Sequence, residues 1–228
     1  SEGPVTGRSI VLVTPDAQRS MFTYLGASKK LSVEDIDENI IKASKITYIE
    51  AYLWDEDCDK EAIVKAAEIA HSYNRDVAFS LSDKSCVDRH REEFLNFIKN
   101  HVDILFGNED EIKSLFAEED FYKTLDMIKP HIDIAAVTRG AKGSVVVNGR
   151  TKIYVESEKV ENVVDTTGAG DLYAAGFLYG LTQGRSLGTC AMIGSIAAAE
   201  IISHYGARPE ISLRGLVRNK LLSYGKRA

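Results

Sequence analysis

Apolar, β-branched runs alternate with helix-period segments along the first 140 residues, and this alternation constrains the fold more than any other feature. Residues 46–53 (ITYIEAYL), 77–81 (VAFSL), 103–106 (DILF) and 133–138 (DIAAVT) read as strands. Between them lie a helix from an Asp59 cap, with Ile63, Ala66, Ala67 and Ala70 on one face, and a helical segment at 92–99. Two more helices start at Glu109 and Asp120. Strand–helix–strand spacing of this kind predicts a mostly parallel sheet flanked by helices on both faces. Upstream, residues 10–14 and 21–25 read as strands around a Pro15-Asp16 turn. Ser32, with Asp35 three residues later, is a capping-box start for a helix to about Lys42.

Beyond residue 140 the pattern changes. Residues 144–147 and 151–155 flank Asn148-Gly149, a strong β-hairpin signal. After Asp165 the chain reads as helical over 172–181, 187–203 and 212–224, with breaks at Gly184 and at the 206–209 loop. Gly176, Gly180, Gly184 and Gly188 recur every four residues, which predicts close helix packing and, for Gly184, a stop. Without a fixed repeat or a low-complexity linker, residues 1–228 read as one α/β domain.

A hydrophobic share of 44% with 27% charged residues is ordinary globular composition and argues against disorder. The net charge of −6 lacks the basic footprint of a nucleic-acid binder. A small anion is still accommodated, because amides at a helix start bind phosphate without a basic patch. Cys58, Cys86 and Cys190 form no CxxC pair and read as free or buried thiols of a reducing compartment. No signal-peptide pattern opens the chain, and the weakly polar run at 187–199 falls short of the about 20 residues a span requires. The expectation is a soluble cytoplasmic protein, with no membrane or nucleic-acid partner.

The chemistry concentrates in Asp165-Thr166-Thr167-Gly168-Ala169-Gly170-Asp171, directly ahead of an apolar helix. Small residues there leave the first helical amides unobstructed, and those donors converge with the positive end of the helix dipole. That point suits a phosphoryl group carrying developing charge. Asp171, in the same turn, can accept a proton or bind a cation, which suggests a base for an incoming hydroxyl. The structural alternative is a cap and a tight turn.

This run resembles the C-terminal signature of the pfkB (ribokinase-like) family of carbohydrate and nucleoside kinases. Asn108-Glu109-Asp110-Glu111 is similar to the family's NxxE motif, and Thr138-Arg139-Gly140-Ala141-Lys142-Gly143 to its TxGxxG motif. The three occur in the family's order, each expected at the carboxyl end of a strand, where open α/β sheets bind ligands. The resemblance implies a ribokinase-like fold and ATP-dependent phosphotransfer to a small-molecule nucleoside or sugar. It implies Asp171 as catalytic base and Gly168, Ala169 and Gly170 as the anion hole. Asn108 and Glu111 would organise Mg²⁺ and its waters, and Thr138, Gly140 and Gly143 would lie on the nucleotide side. Asp165 would stand beside a monovalent cation such as K⁺, which only some members use.

The run Thr14-Pro15-Asp16-Ala17-Gln18-Arg19-Ser20-Met21, continuing to Leu25-Gly26-Ala27, looks like the adenosine-kinase branch. There the arginine reaches the transferred phosphate, so Arg19 is the candidate phosphate ligand; the alternative is a solvent-facing turn arginine. Glu50-Ala51-Tyr52-Leu53 also resembles that branch, with alanine where glycine is usual. The first strand here resembles a later one of the family. The expectation is therefore that about a hundred family residues, roughly three βαβ units, lie outside this chain with most of the acceptor pocket. Acceptor ligands and oligomeric state stay open.

Other signals point away from rival chemistries. GxxxxGK[ST] and GxSxG are absent, and Tyr173 stands where a dinucleotide fingerprint needs its third glycine. His71, His90, His101, His131 and His204 show neither HxxxH nor HExxH spacing and are not read as metal ligands. Asp55, Glu56, Asp57 and Asp59 read as a solvated loop entering a helix, and Trp54 as a packing residue.

Overall fold

The structure is a computed structural model that describes residues 3–17 and 19–225; Gln18 and the side chain of Cys58 lie outside the described residues. The chain divides into two compact units, which strands β1, β2, β7 and β8 enter jointly. Two strands, β1 (Thr6–Val13) and β2 (Arg19–Gly26), form a two-stranded sheet of their own. The turn between them sits at Pro15-Asp16 as expected, closed by the Ala17 amide on the Thr14 carbonyl at 2.9 Å. These strands are longer than their apolar runs and mostly exposed, because they do not enter the main sheet.

The first unit holds β3 (Ile46–Glu50), β4 (Asp76–Ser80), β5 (Ile104–Asn108) and β6 (Ile134–Thr138), all paired parallel. Each connection is helical: α2 (Asp57–Ser72), α3 (Lys84–His101), then α4 (Glu109–Phe116) with α5 (Phe121–Ile128). The strands follow one another in chain order, so right-handed crossovers lay these helices on one face. Phe79 on β4 packs edge-on against Phe94 and Phe97 of α3, with centroids 5.4 and 5.3 Å away. Trp54 joins them at 5.4 and 4.9 Å, the packing role its apolar surroundings predict.

Capping chemistry sets most helix starts. The Asp83 side chain accepts from the Ser85 and Cys86 amides, and Asp120 from those of Tyr122 and Lys123. Three expected boundaries need correction. Ser32 and Asp35 do form a reciprocal capping box, but it caps a short 3₁₀ turn, Val33–Asp35. Helix α1 (Glu38–Ala43) then starts afresh on an Asp37 cap. β3 ends at Glu50, and Ala51–Asp55 forms a 3₁₀ turn that buries Ala51 and Trp54. Helix α2 begins at Asp57, ahead of the expected cap, and Asp59 is buried rather than solvated.

The main sheet continues β6-β7-β8 with β7 (Ser144–Asn148) and β8 (Thr151–Val155), joined at Gly149 in the left-handed region, φ 53°. The second unit carries α6 (Ala169–Thr182), α7 (Leu187–Ile201) and α8 (Leu213–Gly225). A Cβ on Gly176 would stand 2.8 Å from the Ile193 carbonyl oxygen, so this glycine lets α6 and α7 touch backbone to backbone. Gly184, at φ 67°, stops α6 as the four-residue spacing predicted. Cys86 and Cys190 are free and buried. Among the described residues, no helix is long and apolar enough to cross a membrane.

Candidate active site

In the first unit the site begins where β5 and β6 end. Asn108 and Thr138 are the last residues of adjacent parallel strands and pair in register, so two of the motifs stand side by side at the carboxyl edge. Asn108 is the N-cap of α4, its Oδ1 accepting from the Asp110 and Glu111 amides at 2.9 Å each. Glu111 returns the interaction: its Oε2 accepts from the Asn108 amide at 2.9 Å and its Oε1 from Asn108 Nδ2 at 2.6 Å. The NxxE motif is thus a capping box that holds a carboxylate, only 6% exposed, at the strand end.

Burial dominates the Glu111 carboxyl and raises its pKa from 4.5 to about 7, although the bond from the Asn108 backbone pulls the other way. Asp83 and Asp110 add to the rise through their charges. A buried carboxylate with anionic neighbours and, among the described residues, no lysine or arginine bonded to it fits a place near a cation.

In the second unit, Asp165 organises the loop before α6. Its Oδ1 accepts from the Thr167 amide at 2.9 Å and from the Thr167 hydroxyl at 2.6 Å. Its Oδ2 accepts from the Gly206 amide at 3.0 Å. Burial pushes the Asp165 pKa up, but these bonds and the nearby Arg19 charge outweigh it and hold the carboxyl below its ordinary value. Asp165 therefore shapes the loop with both oxygens, which suits a position beside a cation better than direct ligation.

Gly168 is the N-cap of α6 at φ 80°, a conformation that a Cβ would strain. The Leu172 amide closes the helix on the Gly168 carbonyl at 2.9 Å, and the Ala169 amide turns back to the Thr166 carbonyl at 3.3 Å. Gly170 and Asp171, in the first turn, have no intrahelical acceptor for their amides. Asp171 is exposed and Gly170 has open space over its Cα. Arg19, at the start of β2, donates from Nη1 to the Thr166 hydroxyl at 2.8 Å. A residue 147 positions away is thereby brought to the glycine-rich run.

The Arg139 amide bonds the Gly143 carbonyl at 2.8 Å, closing the turn that carries Gly140. Gly143, at φ 85°, passes so close to the Val155 carbonyl that a Cβ would collide with it. One expectation fails: Asp165–Asp171 does not follow a strand. β8 ends at Val155, and the segment from 156 to 168 is irregular. The Val164 amide bonds instead to the Ile202 carbonyl at 2.8 Å, next to the end of α7. Sequence reasoning also missed Thr166 as the partner of Arg19 and Thr167 as the donor to Asp165. The Asp-x-Thr spacing was the available signal, since Asp side chains bond the backbone two residues on.

An open α/β unit with two of the motifs at its strand ends has the arrangement in which such sheets bind small molecules. The family model of pfkB family carbohydrate kinases matches residues 2–213, and the chain belongs to that family. The adenosine kinase structure from Sinorhizobium meliloti is 47% identical at a TM-score of 0.94, covering 96% of this chain and 67% of its own. A probable sugar kinase from Rhizobium etli is 46% identical at a TM-score of 0.93, covering 95% of this chain and 66% of its own. An uncharacterized sugar kinase of Archaeoglobus fulgidus is 26% identical over 89% of this chain and 79% of its own length. The chain thus spans about two thirds of the solved relatives.

Proposed function

We propose that this chain belongs to an ATP-dependent kinase that transfers the γ-phosphoryl group to a hydroxyl of adenosine or a related nucleoside. The observation that carries the proposal is the Arg19–Thr166 bond, which sets a guanidinium at the loop leading into α6, where Asp171 is exposed. In the reaction Asp171 takes the proton of the substrate hydroxyl. The hydroxyl oxygen bonds to the γ-phosphorus, the bond from that phosphorus to the bridging oxygen breaks, and ADP leaves.

Amides of Gly168, Ala169 and Gly170 and the Arg19 fork offset charge on the moving phosphoryl oxygens. Asn108 and Glu111 would hold Mg²⁺, which when bound would neutralise phosphate charge. Thr138, Gly140 and Gly143 would bind on the nucleotide side, and Asp165 would stand beside a monovalent cation such as K⁺. The adenosine kinase likeness favours a nucleoside acceptor. A sugar acceptor of ribose or fructose type is the second reading, and the sugar kinase names among the relatives favour a sugar in general.

The test is γ-labelled Mg-ATP with adenosine, ribose, fructose or no acceptor, each beside an Asp171→Asn control. Label on adenosine alone, falling at least about a hundredfold in the control, supports the proposal. Label on a sugar replaces the acceptor and keeps the mechanism. Undiminished transfer by Asp171→Asn refutes the base. No transfer, with Mg-ATP still raising thermal stability, would mean a nucleotide-binding unit without catalysis.

A further inference from the structure

The first unit gathers three donors from two stretches of the chain, with Asp55 standing 35 positions before His90. Asp55 ends the 3₁₀ turn after β3, while Cys86 and His90 stand one turn apart on α3. A carboxylate oxygen of Asp55, the Cys86 sulfur and a ring nitrogen of His90 all lie within 4.8 Å of one another. We propose that Asp55, Cys86 and His90 form a Zn²⁺ site, with water as fourth ligand, that clamps the 3₁₀ turn against α3.

The donor set suits the ion: thiolate, imidazole and carboxylate are the zinc ligands of proteins, bound tetrahedrally. Bond lengths of about 2.0–2.3 Å place tetrahedral ligand atoms roughly 3.5 Å apart, so closure requires movement of about an ångström. His90 Nε2 already faces Asp55 Oδ1 at 2.8 Å. The other ring nitrogen, Nδ1, faces Glu93 Oε1 at 3.4 Å. A carboxylate behind a ligating histidine fixes its tautomer and presents the opposite nitrogen to the metal. Glu93 is itself held, its Oε2 accepting from Trp54 Nε1 at 2.8 Å and paired with Lys60 Nζ at 2.9 Å.

The Cys86 side chain is 1% exposed and donates to the Ala51 carbonyl at 3.3 Å. Burial raises its pKa to about 11, so the thiol keeps its proton until a cation replaces it. On binding, Zn–S, Zn–N and Zn–O bonds form, the thiol proton leaves to solvent, and one water of the aqua ion remains. No redox partner is involved. Thiolate and carboxylate together cancel the charge of the ion, and Arg89, 3.2 Å from both oxygens of Asp55, competes for that carboxylate.

The test uses the full chain, stripped with chelator and titrated with Co²⁺ and then Zn²⁺. One equivalent of Co²⁺ should give tetrahedral visible bands with a thiolate charge-transfer band in the near ultraviolet, and Zn²⁺ should abolish both. Cys86→Ser and His90→Gln should remove the bands, and Glu93→Gln should weaken Zn²⁺ about tenfold through orientation alone. A Cys58→Ser/Cys190→Ser variant leaves Cys86 as the sole thiol and decides the matter even if Cys86→Ser does not fold. The band in that variant supports the site. Its absence, or undiminished bands in folded Cys86→Ser, overturns it.

Discussion

Replacing Glu111 by glutamine should change how stability responds to pH, because this carboxyl is buried against its charge. Its pKa rises from 4.5 to about 7 on folding, driven by burial. The folded chain therefore holds this proton more tightly than the unfolded chain. Its contribution is fully present below about pH 4.5 and lost as pH rises through about 7. At ~1.4 kcal/mol per pH unit, the loss across that window is about 3 kcal/mol. In Glu111→Gln this slope disappears. Glutamine can still accept from the Asn108 amide, but its amino group meets Asn108 Nδ2, forfeiting about 1 kcal/mol.

The variant should thus be the less stable form near pH 4, by about 1 kcal/mol, close to wild type near pH 5, and the more stable near pH 8, by about 2 kcal/mol. Urea unfolding followed by tryptophan fluorescence is the assay, since Trp54 is the only tryptophan and lies in the same unit as Glu111. Stability curves of wild type and variant that run parallel from about pH 5 to 8 would refute the reasoning.

Three further outcomes follow from other parts of the chain. Arg19→Ala should slow phosphoryl transfer on the order of a hundredfold, with Arg19→Lys recovering part of it because lysine keeps charge but loses the fork; steady-state kinetics that leave both variants at wild-type rate would remove Arg19 from the mechanism. Gly176→Ala should destabilise by about 1–3 kcal/mol, since its Cβ would meet α7 backbone. Gly215→Ala, with only Ser212 side-chain atoms nearby at 3.8 and 3.9 Å, should gain up to about 1 kcal/mol; equal urea midpoints for the two would contradict the packing argument. Asp120→Ala should cost about 1 kcal/mol by releasing two amides of α5, measured by the same unfolding.

Much of the candidate site was legible because its parts are contiguous. The Asn108–Glu111 box, the Asp165–Thr167 turn and the left-handed Gly168 each depend on residues within four positions, so their chemistry is written in local order. The Arg19–Thr166 bond joins residues 147 apart, and only a resemblance, not spacing, pointed to that arginine. Asp165–Asp171 does not stand at the expected strand end, because local preference carries no information on which partner the amides of the segment before it find. Val164 finds Ile202.

The amino-acid order by itself determined the parallel strands, the caps at Asn108 and Asp120, the hairpin at Asn148-Gly149 and the stop at Gly184, since hydrogen bonding and steric preference act over a few residues. Tertiary structure alone decided that β1 and β2 stand apart from the main sheet, that Asp59 is buried, and that the box at Ser32 caps a single turn. It also gathered Asp55, Cys86 and His90, which no ligand spacing announced. Burial is set by which distant surfaces meet, and a chain's local preferences do not specify those neighbours.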